Sequence, residues 1–203
     1  MKRSNEERLS IRGAAGDLEV VVNDPGEKRR AVAFIAHPHP LYGGSLDNKV
    51  VQTLAKCFFG QGAVAVRMNF RGVGASEGVY DEGRGETEDW LTVAAAVRDR
   101  YGELPIALAG FSFGAFVINR VAESLAYQRL VLVGAAVNRF PLTHVRAGTL
   151  VVHGEEDDVV PLKDVFDWAR PQSLPVVVIP GTGHFFHGKL VELARIVNSS
   201  CAC

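Results

Sequence analysis

No apolar run in this chain approaches the roughly 20 residues needed to cross a bilayer. Runs such as Ala31–Ala36 and Val176–Ile179 have only the length of a strand. There is no surplus of one charge either: 22 Lys and Arg against 23 Asp and Glu leave a formal net charge of −1. Neither nucleic acid nor an anionic membrane is therefore expected as a partner, because both are drawn by an excess of cations. Residues 1–13 are charged and lack the apolar core of a secretory signal. Cysteine is scarce, with 3 in the chain, which excludes a disulfide-stapled scaffold and points to a reducing, cytoplasmic home. Cys57 lies in an apolar helical pattern, and the terminal Cys201 and Cys203 read as frayed free thiols rather than a soft-metal clamp.

What is present is ordinary globular material. The 203 residues, 47% apolar and 22% charged, suffice for one domain over 1–203 with a core that needs no staple. Residues 1–16 and 199–203 are expected to be loosely ordered ends. Internal repeats and low-complexity blocks are lacking. Short β-branched runs alternate with segments of helical spacing. The strand candidates are Leu18–Val22, Ala31–Ala36, Ala63–Asn69, Ile106–Ala109, Leu130–Val133, Thr149–His153 and Pro175–Ile179. The last five are nearly continuous in apolar residues, as in strands covered on both faces. Helix candidates are Asp47–Phe59, Thr87–Tyr101, Gly114–Leu125, Leu162–Ala169 and Leu190–Val197. This alternation predicts an α/β fold with a mainly parallel central sheet and helices on both faces. Chemistry is then expected in the loops just after the strands.

One such loop reads Gly110-Phe111-Ser112-Phe113-Gly114, directly between a strand and a helix. That is the setting a G-x-S-x-G nucleophile needs: a strained turn lifts the hydroxyl into the open, and the glycines leave room for neighbouring backbone. The amide of Phe113 is then placed to face a developing oxyanion. In a chain with 21 glycines such a motif also arises as an incidental turn, so companion residues must decide.

A serine hydroxyl needs a base, and the base needs a partner to fix its tautomer. The segment from His153 to Pro161 ends a strand and supplies carboxylates, of which Asp157 is chosen as the acid, ahead of Asp158. After the next strand, Gly181-Thr182-Gly183-His184-Phe185-Phe186-His187 offers His184 as the base, ahead of His187 at the start of a helical pattern. The chain order Ser, Asp, His suits the mechanism. The loop 37–49 holds Pro38 and Pro40, which have no amide to donate, so His39 is chosen as the second oxyanion donor and Leu41 stands next. His37 and His39 also have the spacing of a metal-binding pair, but that reading leaves the serine elbow unexplained; His37 itself reads as a packed loop residue.

The segments HPHPLYGGSLDNKV, MNFRGVGASEG, GFSFG, HGEEDDVVP and GTGHFFHGKL occur in order over nearly the whole chain from about residue 17. Together they resemble the small, lidless bacterial α/β hydrolases, a predicted-esterase group related to dienelactone hydrolase. The resemblance implies the α/β-hydrolase fold without a cap domain, esterase-like activity with Ser112, Asp157 and His184 as triad, and no cofactor. Dienelactone hydrolase itself uses a cysteine nucleophile, so its lactone chemistry does not carry over. In the resembling loop 69–78, Arg71 is expected to brace its neighbours through a carboxylate.

The expected substrate is a small-molecule ester. The interval Gly134 to Gly148 is too short for a folded cap. An open site edged by Tyr42, Phe111, Phe140 and Phe185 suits small or short-chain acyl groups. Thioester or acyl-peptide cleavage by the same triad, a metal-dependent hydrolase built on His37 and His39, and a catalytically silent binding protein are the alternatives.

Overall fold

A computed structural model describes residues 5–200 of the chain. Its eight strands form one sheet in the order β1-β2-β4-β3-β5-β6-β7-β8. They are β1 (Asn5–Gly13), β2 (Gly16–Asp24), β3 (Ala31–Ala36), β4 (Ala63–Met68), β5 (Ile106–Phe111), β6 (Arg129–Val133), β7 (Leu150–Gly154) and β8 (Val176–Ile179). From β4 through β8 the neighbouring strands run parallel, whereas β1–β2 and β2–β4 are antiparallel.

Alternate side chains of the central strands feed two cores. Val32, Phe34, Leu108 and Leu132 pack on one face with Trp90 and Val93 of α2 (Arg84–Tyr101) and Phe116 and Val117 of α3 (Phe113–Ser124). Ala33, Ile35, Ala109 and Val131 pack on the other with Val51 and Leu54 of α1 (Lys49–Gly60) and Leu193 and Val197 of α5 (Leu190–Ser200). A smaller cluster joins Val151 to Val165 and Ala169 of α4 (Leu162–Ala169). Burial on both faces is why these strands read as unbroken apolar runs. Between β6 and β7 the chain forms neither helix nor strand, so nothing folded stands over the carboxyl ends of the strands there.

The ends are more ordered than expected. Asn5–Gly13 is a full strand, joined to β2 by a two-residue hairpin that pairs Gly13 with Gly16. Cross-strand ion pairs, Arg8–Glu19 at 2.6 Å and Arg12–Asp17 at 3.0 Å, and the half-buried Leu9 and Ile11 hold it in place. An edge strand buries only one row of side chains, so its alternation of charged and apolar residues looks polar in sequence. Likewise α5 continues to Ser200, and the terminal Cys201 and Cys203 lie outside the described residues.

Candidate active site

Strand β5 delivers Ser112 at its carboxyl end in a conformation that few side-chain-bearing residues adopt, φ 56° and ψ −118°. The turn is this tight because backbone lies where side chains would be. A Cβ on Gly110 would meet the Gly114 carbonyl oxygen at 2.3 Å, and one on Gly114 the Ala36 carbonyl oxygen at 2.4 Å. The Ser112 amide donates to the Val133 carbonyl at 2.9 Å, tying the turn to β6.

Three strand ends converge on that hydroxyl. His184, from the loop after β8, has Nε2 3.0 Å from Ser112 Oγ and Nδ1 2.7 Å from Asp157 Oδ2. An ionised carboxylate only accepts, so Nδ1 carries the proton and Nε2 is left to accept from the serine hydroxyl. Asp157 is buried, and its Oδ1 accepts from the amides of Val159 (3.0 Å) and Val160 (2.7 Å). Burial by itself would raise its pKa, but the His184 hydrogen bond, the Val160 amide and the imidazole charges together hold it below the ordinary carboxylate range. Asp158 and His187 are exposed to solvent. The loops interlock: a Cβ on Gly154, at the end of β7, would meet the Thr182 carbonyl oxygen at 2.2 Å.

The loop after β3 approaches from the other side. Among the described residues, neither the Phe113 nor the His39 amide has a backbone or side-chain acceptor, and both residues line the cleft with Ser112. The Leu41 amide, by contrast, donates to His39 Nδ1 at 3.2 Å. His37 cannot pair with His39 on a metal: its Nδ1–H donates to the Pro38 carbonyl (2.7 Å) and its Nε2 accepts from the Phe70 amide (2.9 Å). The metal reading of this pair is corrected accordingly, since both ring nitrogens serve the backbone.

The cleft has a volume of about 370 Å³ and is walled by Tyr42, Phe113, Phe140, Val159, Val160 and Phe185. Phe111 is not among these walls. It is fully buried beneath the imidazole, 5.0 Å from the His184 ring and 6.3 Å from Phe186. Its assignment to the substrate rim is corrected: as the last residue of β5 it points into the core on the α1 and α5 side. Arg71 grips Asp89 with two hydrogen bonds of 2.8 Å and also donates to the Gly85 carbonyl, clamping the loop after β4 to α2.

Sequence reasoning gave no role here to Gly134 or Arg139, and it weighed His153 only as the end of a strand and a further ligand for the metal alternative. His153 is wholly buried; its Nε2–H donates to the Val160 carbonyl at 2.8 Å and lies 3.4 Å from Asp157 Oδ2. Burial lowers its pKa, against the pull of Val160 and Asp157. Gly134 lies behind the base, where a Cβ would come 3.3 Å from His184 Cε1. Arg139 lines the cleft from the loop between β6 and β7. A buried histidine ending a strand was a legible signal; the other two depend on how separate loops meet.

The chain is similar to an α/β serine hydrolase homologue from Coxiella burnetii, 40% identical over 100% of both chains with a TM-score of 0.91. It is also similar to an α/β serine hydrolase without a lid from Xanthomonas campestris, at 36% identity over 96% of this chain and 93% of that one, TM-score 0.90. An uncharacterized protein of Rickettsia prowazekii is 31% identical over 94% of this chain and 87% of its own length. No family model matches the chain.

Proposed function

The chain belongs to the small lidless α/β serine hydrolases, and from that premise we propose that it cleaves carboxylic esters of small or short-chain acyl groups through a Ser112–His184–Asp157 triad. The observation that carries the proposal is the continuous hydrogen-bonded path from Ser112 Oγ through His184 to Asp157, with spans of 3.0 Å and 2.7 Å, set at a strained elbow. Ser112 attacks the ester carbonyl as its proton passes to His184 Nε2, and Asp157 stabilises the imidazolium. The free amides of Phe113 and His39 supply the tetrahedral oxyanion with donors that need no reorganisation. His184 then protonates the leaving alcohol. Water, deprotonated by the same imidazole, releases the acid from the serine.

The preference for small acyl groups rests on the short β6–β7 connection and the open cleft. Wild-type protein is expected to take up a fluorophosphonate probe, and Ser112→Ala to take up none and lose at least about a thousandfold in kcat. On p-nitrophenyl esters of increasing chain length, rates should fall beyond short acyl chains. Ester turnover that survives in Ser112→Ala would overturn the nucleophile assignment; a rate that climbs with chain length would overturn the acyl assignment alone.

A further inference from the structure

The lining of the cleft carries one permanently charged side chain, that of Arg139, and no acidic one. Several arginines elsewhere find carboxylates: Arg71 pairs with Asp89, Arg29 with Asp24 and Arg100 with Glu7. Arg139 has no such partner among the described residues. Its position is nevertheless defined. The amides of Arg139 and Phe140 both donate to the Ala136 carbonyl, at 3.1 and 3.0 Å, and Asn138 Nδ2 donates to the Val159 carbonyl at 3.0 Å. The turn bearing the guanidinium is therefore pinned to the loop behind Asp157. The guanidinium also stands near enough to His39 that, after burial, its charge helps hold that imidazole below its ordinary pKa.

An unpaired guanidinium at an apolar cleft with no acidic group creates a positive potential over the reacting serine. It also offers a planar fork of donors suited to an oxyanion. On the ester-cleaving reading above, we propose that Arg139 is a specificity residue for an anionic substrate: an ester whose apolar body lies against Phe140 and Val159 and which carries a carboxylate or phosphate that the guanidinium engages. A neutral ester fills the same walls but leaves that charge unanswered.

The test compares substrates in pairs. One pair is p-nitrophenyl valerate and the p-nitrophenyl hemiester of glutaric acid; the other is the butyryl ester of glycerol and that of glycerol phosphate. For each, the ratio of kcat/KM for the anionic over the neutral member is measured in wild type, Arg139→Gln and Arg139→Lys. The expected result is a ratio above one in wild type for at least one pair, falling roughly five- to tenfold in Arg139→Gln and partly retained in Arg139→Lys. Added salt should shrink the wild-type ratio. The pair that responds identifies the anion. Neutral-ester turnover with ratios that Arg139→Gln leaves unchanged in both pairs would overturn this proposal and spare the ester-cleaving one. Wild type that hydrolyses none of the four esters would overturn both.

Discussion

Lowering the pH from 7 to 4.5 asks His37 to take up a proton that its surroundings refuse. The ring is fully buried, with Nδ1–H given to the Pro38 carbonyl and Nε2 accepting from the Phe70 amide. A second proton would set Nε2–H against the Phe70 N–H and leave a charge without a counterion, 4.2 Å from the Phe70 ring. Burial, only partly offset by the Pro38 hydrogen bond, drives the pKa from 6.5 down to about 4. Because the folded value lies below the unfolded one, the unfolded chain binds the proton first. Stability is then full above pH 6.5 and declines as pH falls toward 4. At 1.36 kcal/mol per pH unit the whole interval corresponds to about 3 kcal/mol, of which roughly 2.5 kcal/mol is lost by pH 4.5. Urea unfolding of wild type and His37→Gln at the two pH values isolates this contribution, since the other titrating groups are common to both. Gln retains a donor and an acceptor but does not titrate. His37→Gln is expected to be the less stable protein at pH 7, and to lose about 2.5 kcal/mol less on acidification. Equal losses in the two proteins, or an NMR titration midpoint for His37 near 6.5, would refute the reasoning.

Two further substitutions probe the frame around the site. Gly134→Ala places a methyl group 3.2 Å from the Phe111 ring and 3.3 Å from His184 Cε1, at φ 51°; kcat should fall roughly tenfold with about 1–2 kcal/mol of stability, read by ester kinetics beside urea melts. Asp89→Asn strips the buried Arg71 of its carboxylate and should cost about 3–5 kcal/mol in chemical unfolding; a loss below 1 kcal/mol would show that water reaches the guanidinium.

Much of the architecture was legible because burial on both faces writes itself into composition. Strands β3 to β7 are apolar runs since their side chains feed helix-covered cores on both faces, and the elbow is legible because Gly110 and Gly114 leave room for backbone that comes within 2.4 Å of where a Cβ would stand. Strand β1 escaped notice for the converse reason: at the edge of the sheet, only Leu9 and Ile11 pack against the core, while Arg8 and Arg12 face solvent and pair across the hairpin. Three helix starts were offset by one to three residues, as at α1, where Asn48 Oδ1 accepts from the Val50 amide at 2.9 Å, whereas α4 and α5 begin at the expected Leu162 and Leu190.

By itself, then, the order of residues determined the sheet's covered strands, the turn that strains Ser112 and the kinds of side chain available for proton transfer. These are local properties, written within a strand or a turn. Which of those side chains meet was decided only by the sheet order β5-β6-β7-β8, which brings Asp157 rather than Asp158 to His184. It also turns Phe111 inward, ties up both nitrogens of His37, and leaves Arg139 lining the serine's cleft without a carboxylate partner among the described residues. Such outcomes depend on distances between loops far apart in the chain, and no spacing along one dimension encodes them.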